Sequence, residues 1–243
     1  MSLPRESNPQ VNAIFFDMNG TLRTRIPDQA WQDQSFKLLL KLLEQPDASP
    51  TLPEELTRRY KAYTRWANEN GISLSEAEIW SEWVAPDLPA ELTGPCAPEL
   101  LLALRNYKGR TVLLPEAAAI IAELHRRGYR LGVISNTTSS IDLPRFIKEN
   151  DLENYFEAVI LSATFGYRKP SPEIFLEAAN RLGLPPAECV YIGNNYVNDI
   201  LGPRNAGYAM AMLVGSGTWQ KDDLDVMLSS LNNLLDLFPQ RRA

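Results

Sequence analysis

The stretch Val11-Asn12-Ala13-Ile14-Phe15-Phe16-Asp17-Met18-Asn19-Gly20-Thr21-Leu22 decides the fold. Val11 to Phe16 is a short apolar, β-branched and aromatic run, the pattern of a strand buried on both faces of a parallel sheet. It stops at Asp17, and Asn19-Gly20 marks a sharp turn. A carboxylate placed where a buried parallel strand ends sits at the edge of an open α/β sheet where ligands bind.

Beyond that strand, residues from Pro27 to Lys108 change texture. Phe36, Leu39, Leu40 and Leu43 repeat at the spacing of one helical face, and Leu56, Tyr60, Tyr63 and Ala67 form a second stripe. Ser75 with Glu78 reads as a capping box opening a third helix that carries Ile79, Trp80 and Trp83. Proline-rich joints at 50–53 and 86–98 separate these helices. Trp31, Trp66, Trp80 and Trp83 all lie here and are expected to fill a small helical core.

After Arg110 strands and helices alternate. Helices are expected at Pro115–Arg127, Leu143–Glu149, Glu173–Leu182 and Leu231–Phe238. Strands are expected at Tyr129–Ile134, Ala158–Leu161, Cys189–Ile192 and Tyr208–Val214. This rhythm implies a parallel sheet with right-handed crossovers, an α/β, doubly wound architecture. The domains expected are a Rossmann-like core from residues 1–26 and 110–243 and a small all-α cap from 27–109, inserted over the mouth of the sheet.

Composition narrows the function. Of 243 residues 44% are apolar and 22% charged, as in an ordinary globular protein. The 24 Lys and Arg against 30 Asp and Glu give a net charge of −6, which argues against nucleic acid as a partner. No apolar run is long enough to span a bilayer, and the N-terminal MSLPRESNPQ lacks a signal-peptide core, so the expectation is a cytoplasmic protein with no membrane partner. Cys96 and Cys189 have no metal-ligand spacing and read as reduced structural thiols. The single His125, at a helix end, excludes multi-histidine zinc sites.

Four features fall at ends of expected strands: Asp17, Ser135, Lys169 in GYRKPSPEIF, and the turn from Gly193 to Asp199. In an open parallel sheet such ends converge on one crevice. Here the chain resembles a family. FFDMNGTL is similar to the first motif of the haloacid dehalogenase-like hydrolases, VISNTT to their second, YRKPSPEIF to their third and YIGNNYVNDILGPRNAGY to their fourth. The helical insertion sits where that family places an α-helical cap.

The resemblance implies roles. Asp17 would be the nucleophile, forming an aspartyl intermediate. Lys169 would neutralise Asp17 and the phosphoryl group. Ser135 and the backbone N–H of Asn136 would bind phosphoryl oxygens, and Gly20 and Thr21 would shape the loop. Magnesium would be held by Asp17, the backbone carbonyl of Asn19 and Asn194, supported by Asp199. Arg23, Arg25 and Tyr196 are candidates for specificity at the crevice.

Two residues depart from the family's phosphatases. Asn19 stands where those enzymes carry the aspartate that acts as general acid and base, and an amide does neither. Such catalysis is typically worth ~10²–10⁴ in rate. Asn194 replaces an acidic metal ligand. The resulting expectation is a magnesium-dependent phosphatase of weakened activity, acting on a small phosphorylated metabolite. The alternatives are a non-catalytic binding protein of the same fold, or a dehalogenase- or phosphonatase-type hydrolase. The last would need a cap lysine, with Lys37, Lys41 and Lys61 available.

Overall fold

The computed structural model describes residues 10–215 and 226–241. Strand β1, Ala13–Phe16, is fully buried, and its alternating side chains serve both faces of a six-stranded sheet. Ile14 and Phe16 join one hydrophobic cluster, and Phe15 and Ala13 another. Leaving β1 the chain forms an antiparallel ribbon from β2, Arg23–Ile26, and β3, Arg110–Leu113. The sheet continues with β4 Arg130–Ser135, β5 Phe156–Leu161, β6 Cys189–Gly193, β7 Met210–Val214 and β8 Val226–Leu228.

Strand order is β5-β4-β1-β6-β7-β8, and every pairing in this sheet is parallel. The chain runs outward from β1 through β4 to β5, then returns to β6 on the other side of β1. The order therefore reverses at β1 and β6, and their C-terminal ends flank the crevice that such a reversal opens. Helices cover both faces. Helix α4, Ala117–Arg126, packs Ile120, Ile121 and Leu124 against Phe16, Val133 and Ile192. Helix α6, Pro172–Arg181, packs Ile174, Phe175 and Ala178 against Phe15, Ile160 and Tyr191. The doubly wound α/β architecture follows from this arrangement.

Helices α1 (Gln29–Leu42), α2 (Leu52–Asn70) and α3 (Ala97–Asn106) lie between β2 and β3 and carry a separate hydrophobic cluster. Leu39, Leu43, Leu56, Tyr60, Tyr63 and Ala67 all enter it. Ser75 and Glu78 make the expected reciprocal capping box ahead of Ile79–Val84. Trp80 is fully buried there, and Trp66 and Trp83 pack against the cluster. Trp31 departs from expectation: it lines a groove with Val112 and Phe146 rather than the helical core.

Three strands were not legible. Arg23–Ile26 (RTRI) and Arg110–Leu113 (RTVL) each open on an arginine and lack a buried apolar run, and they pair with each other. Val226–Leu228 is three residues long, at the sheet edge. The expected closing helix is instead a 3₁₀ turn at Leu231–Asn233 followed by one turn at Leu234–Leu237. Cys189 is buried and Cys96 half-buried, both unpaired thiols. His125 lies in the last turn of α4, edge-on to Tyr155. No helix among the described residues is long and apolar enough to cross a membrane.

The insertion is tied to the sheet by a buried charge clamp. Asp142, the first residue of α5 (Asp142–Glu149), accepts from Arg23 of β2 at 2.6 Å and from Arg105 of α3 at 3.1 Å. Arg23 is only 1% exposed. Burial by itself would push the Asp142 carboxyl up, but Arg105 and Arg23 outweigh it and hold it below its ordinary value. A lowered folded-state value gives stabilisation that is complete above the unfolded pKa and lost as pH falls through the folded one. Asp142→Asn strands two cations, and loss of one partner of a buried pair costs about 3–5 kcal/mol. Denaturant titration should show that deficit near neutral pH. The gap between variant and wild type should close below about pH 4, the ordinary aspartate range; a pH-independent gap would refute the clamp.

Candidate active site

At the end of β1 the Asp17 backbone N–H still bonds to the Ile192 carbonyl at 2.8 Å, so the carboxylate is positioned by the sheet itself. Its Oδ1 accepts from Lys169 Nζ at 2.7 Å. The same ammonium donates to Asp199 Oδ1 at 2.8 Å and to the Tyr191 hydroxyl at 2.6 Å. Its three donors are thereby satisfied inside the protein, with Lys169 only 3% exposed. Asp17 Oδ2 accepts from the Thr21 hydroxyl at 3.5 Å and, among the described residues, makes no ion pair.

Electrostatics follow from burial and charge count. Burial pushes the Lys169 ammonium down, yet Asp17 and Asp199 together more than reverse this and hold it raised. Burial raises the Asp17 carboxyl; Lys169 pulls it down and Asp199 pushes it up, leaving it raised. One ammonium between two carboxylates leaves a net negative site, which a second cation would relieve.

Three loops hold this arrangement. Gly20 has φ +88°, a left-handed conformation suited to glycine, and a Cβ there would lie 2.1 Å from the Asn194 amide nitrogen. That close approach brings Asn194 onto the Asn19-Gly20 turn. At Gly193 a Cβ would meet the Asp199 carboxylate carbon at 2.3 Å, so glycine lets Asp199 reach inward. Asp199 Oδ2 then accepts from the backbone N–H groups of Asn194 and Asn195 at 3.0 and 2.9 Å. Both Asp199 oxygens are committed to the lysine and to the turn, making it a support for the site.

Ser135 ends β4 with its hydroxyl buried and, among the described residues, without a hydrogen-bond partner. A buried unpartnered hydroxyl costs free energy unless something else bonds it. The Asn136 side chain does something the sequence did not suggest. Its amide donates to the Lys169 carbonyl and its carbonyl accepts from the Lys169 N–H, both at 2.8 Å. This pair clamps the backbone that carries the lysine. Tyr191 was also missed: its hydroxyl, bonded to Lys169, donates to the Ile134 carbonyl at 2.9 Å. The available signal was a polar-tipped residue in the otherwise apolar strand CVYIG.

Asn19 is exposed, and its Oδ1 accepts from Arg23 Nε at 2.9 Å. Asn19, Gly20, Arg23, Thr24, Arg25, Arg105 and Thr111 line one cleft beside the turn. Of the specificity candidates, Arg23 and Arg25 reach this cleft, whereas Tyr196 packs against Ile200, Ala211 and Leu213. Lys37 and Lys41 line a surface groove on α1, and Lys61 lies on α2; none of the three lines the cleft. No group of three or more His, Cys, Asp or Glu gathers as a metal cage among the described residues. Asn19 and Gly20 form the turn after β1, and the Asn194 amide lies against Gly20.

The insertion reaches this crevice from above. Tyr60 and Thr138 hydroxyls share a hydrogen bond of 2.6 Å, and Glu76 accepts from the Ser140 N–H and hydroxyl at 2.9 and 2.8 Å. Arg168, buried next to Lys169, bonds Asn68 and Ser73 of the insertion and Ser162 of the core.

The chain as a whole resembles known proteins. The chain is 38% identical over 102 residues to glyceraldehyde 3-phosphate phosphatase of Methanothermobacter thermautotrophicus, a match covering 42% of this chain but only 44% of that protein. It is 28% identical over 248 residues to phosphoglycolate phosphatase of Salmonella typhimurium, covering 93% of this chain and 91% of that one. The solved 2-haloacid dehalogenase of Pseudomonas syringae superposes with a TM-score of 0.69 at 20% identity, over 93% of this chain and 97% of that one. At that identity the likeness speaks for fold alone. The model of the haloacid dehalogenase-like hydrolase family matches residues 11–207, and the chain therefore belongs to that family of hydrolases.

Proposed function

We propose that the chain is a phosphatase acting on a small phosphorylated molecule through an aspartyl-phosphate intermediate on Asp17. The observation that carries this reading is the division of labour on the Asp17 carboxylate. Oδ1 is held by a buried ammonium, and Oδ2 is left without a cation and available to attack. Attack by Oδ2 forms an O–P bond while the ester O–P bond breaks, its electron pair leaving with the alcohol oxygen. Water then hydrolyses the intermediate and frees Asp17. Lys169 balances the charge brought in by the phosphoryl group, and the buried Ser135 hydroxyl, lacking a partner, supplies a donor to one of its oxygens. The helices at 27–109 serve as a cap that excludes water from the crevice.

The donor set suits magnesium, a hard cation that takes oxygen ligands and often only one or two carboxylates beside phosphate. Asp17, the Asn19 carbonyl and Asn194 would hold it, with Asp199 fixing the turn that presents Asn194. When bound it would neutralise charge on the phosphoryl oxygens. An amide in place of a carboxylate at 194 removes one negative charge, so affinity is weak compared with a two-carboxylate site.

Asn19 shapes the rate. No residue at that position donates a proton to the leaving group, so esters whose leaving group departs as a stable anion are the better substrates. The same feature favours a second reading, displacement at carbon with loss of halide, which needs no leaving-group proton.

Asp17→Asn should abolish turnover of an aryl phosphate measured with magnesium present; turnover that survives, or wild-type halide release from a 2-haloacid with no phosphate release from the ester, refutes the proposal. Asn19→Asp should raise turnover of the same ester by on the order of 10². Arg23 Nε, already donating to this position, holds the new carboxylate ionised, as a base to water. A steady-state assay that finds no gain means that Asn19 does not face the reacting water.

A further inference from the structure

We propose that Arg23, Arg25 and Arg105 form a second anion-binding subsite, which takes a carboxylate or a further phosphate carried by the substrate itself. The proposal rests on the phosphatase reading of Asp17 and specifies its substrate class. The cleft that these residues line measures about 260 Å³ and opens directly beside the Asn19-Gly20 turn. A molecule with its phosphoryl group at Asp17 would extend into it.

The charge count in the cleft does not balance. Three guanidinium groups meet one carboxylate, Asp142, whose Oδ2 already receives both Arg23 and Arg105. Among the described residues Arg25 makes no ion pair. A fourth cation, Lys108, lies next to them with its ammonium 5.0 Å from the Tyr60 ring centre. Burial lowers the Arg25 guanidinium, and Arg105 lowers it further. This concentration of positive charge runs against a chain whose net charge is −6.

Hydrogen bonding points the same way. Arg23 Nη1 and Arg105 Nε are buried and have no hydrogen-bond partner among the described residues. A clamp between β2 and α5 needs only the Nη2 contact that Arg23 already makes to Asp142. The clamp explains neither the spare donors of Arg23 and Arg105 nor the presence of Arg25. Buried cationic donors left unsatisfied are costly, and an arriving oxyanion would satisfy them. The planar guanidinium fork matches carboxylate and phosphate alike, with charge-assisted bonds of the stronger kind. Binding energy drawn from this remote group would also hold the ester in position for Asp17.

The test measures binding by calorimetry, with magnesium present, in wild type and Arg25→Gln. Arg25 is chosen because it sits at the exposed rim and takes no part in the Asp142 clamp. The probes are methylphosphonate with no second anionic group, phosphonoacetate and phosphonopropionate with a carboxylate at two spans, and methylenediphosphonate with a second phosphonate. At least one probe with a second anionic group should bind about tenfold or more tightly than methylphosphonate, and Arg25→Gln should remove most of that advantage. The probe that gains identifies carboxylate or phosphate as the group recognised. Equal binding of all four, or an advantage that survives Arg25→Gln, overturns the subsite. Aryl phosphate turnover, followed in parallel, separates the two ideas. Turnover with equal probe binding sinks the subsite alone, and no turnover with the advantage intact sinks the phosphatase reading alone.

Discussion

The Lys169 ammonium, buried between Asp17 and Asp199, is the constraint around which the rest of the molecule is arranged. Taking a charge out of water costs several kcal/mol even after relaxation, and only close, fully bonded counter-charges offset it. Asp17, Asp199 and Tyr191 meet that demand from three different elements. Each can do so only if β1, β6 and the turn after β6 are in register. Asn136 adds a fourth element by clamping the lysine's own backbone. The parallel sheet, with its order reversing at β1 and β6, supplies that register through ladder bonds far from any solvent.

A second buried cation organises the other half of the site. Arg23 connects three things that are distant in sequence: the Asn19 amide, the Asp142 carboxylate and the cleft under the helical insertion. Both centres use the same physics, a cation kept charged in the interior by carboxylates placed against it. They differ in balance. Around Lys169 the carboxylates outnumber the cation, whereas around Arg23 the cations outnumber the carboxylate. The two imbalances lie on either side of the Asn19-Gly20 turn, so the crevice presents a gradient of charge from the nucleophile toward the insertion. A phosphoryl group flanked by a metal ion at one end and an anionic tail at the other would complement it.

Much of this was readable in advance because it depends on local pattern. An apolar run ending in Asp17, helical stripes such as Leu56, Tyr60, Tyr63 and Ala67, and the Ser75–Glu78 cap each express a periodicity or a turn requirement that tertiary contacts reinforce. The elements that escaped are those whose form depends on a partner. Arg23–Ile26 and Arg110–Leu113 have no apolar alternation and become strands only by pairing with each other. Val226–Leu228 depends on β7. Trp31 has the composition of a core residue, yet its helix presents it to a groove shared with Val112 and Phe146.

The sequence by itself determined the strand that ends in a carboxylate, the alternation that makes the sheet parallel, and the amides at Asn19 and Asn194, because these are matters of residue type and spacing. Tertiary structure alone decided which oxygen of Asp17 is paired with a cation, that Tyr191 and Asn136 hold the lysine, and that Arg23 is a buried cation with donors to spare. The physical reason is separation along the chain. Lys169 and Asp17 are 152 residues apart, and Arg23 and Asp142 are 119 apart. No local pattern records a contact that exists only once the sheet has closed the distance.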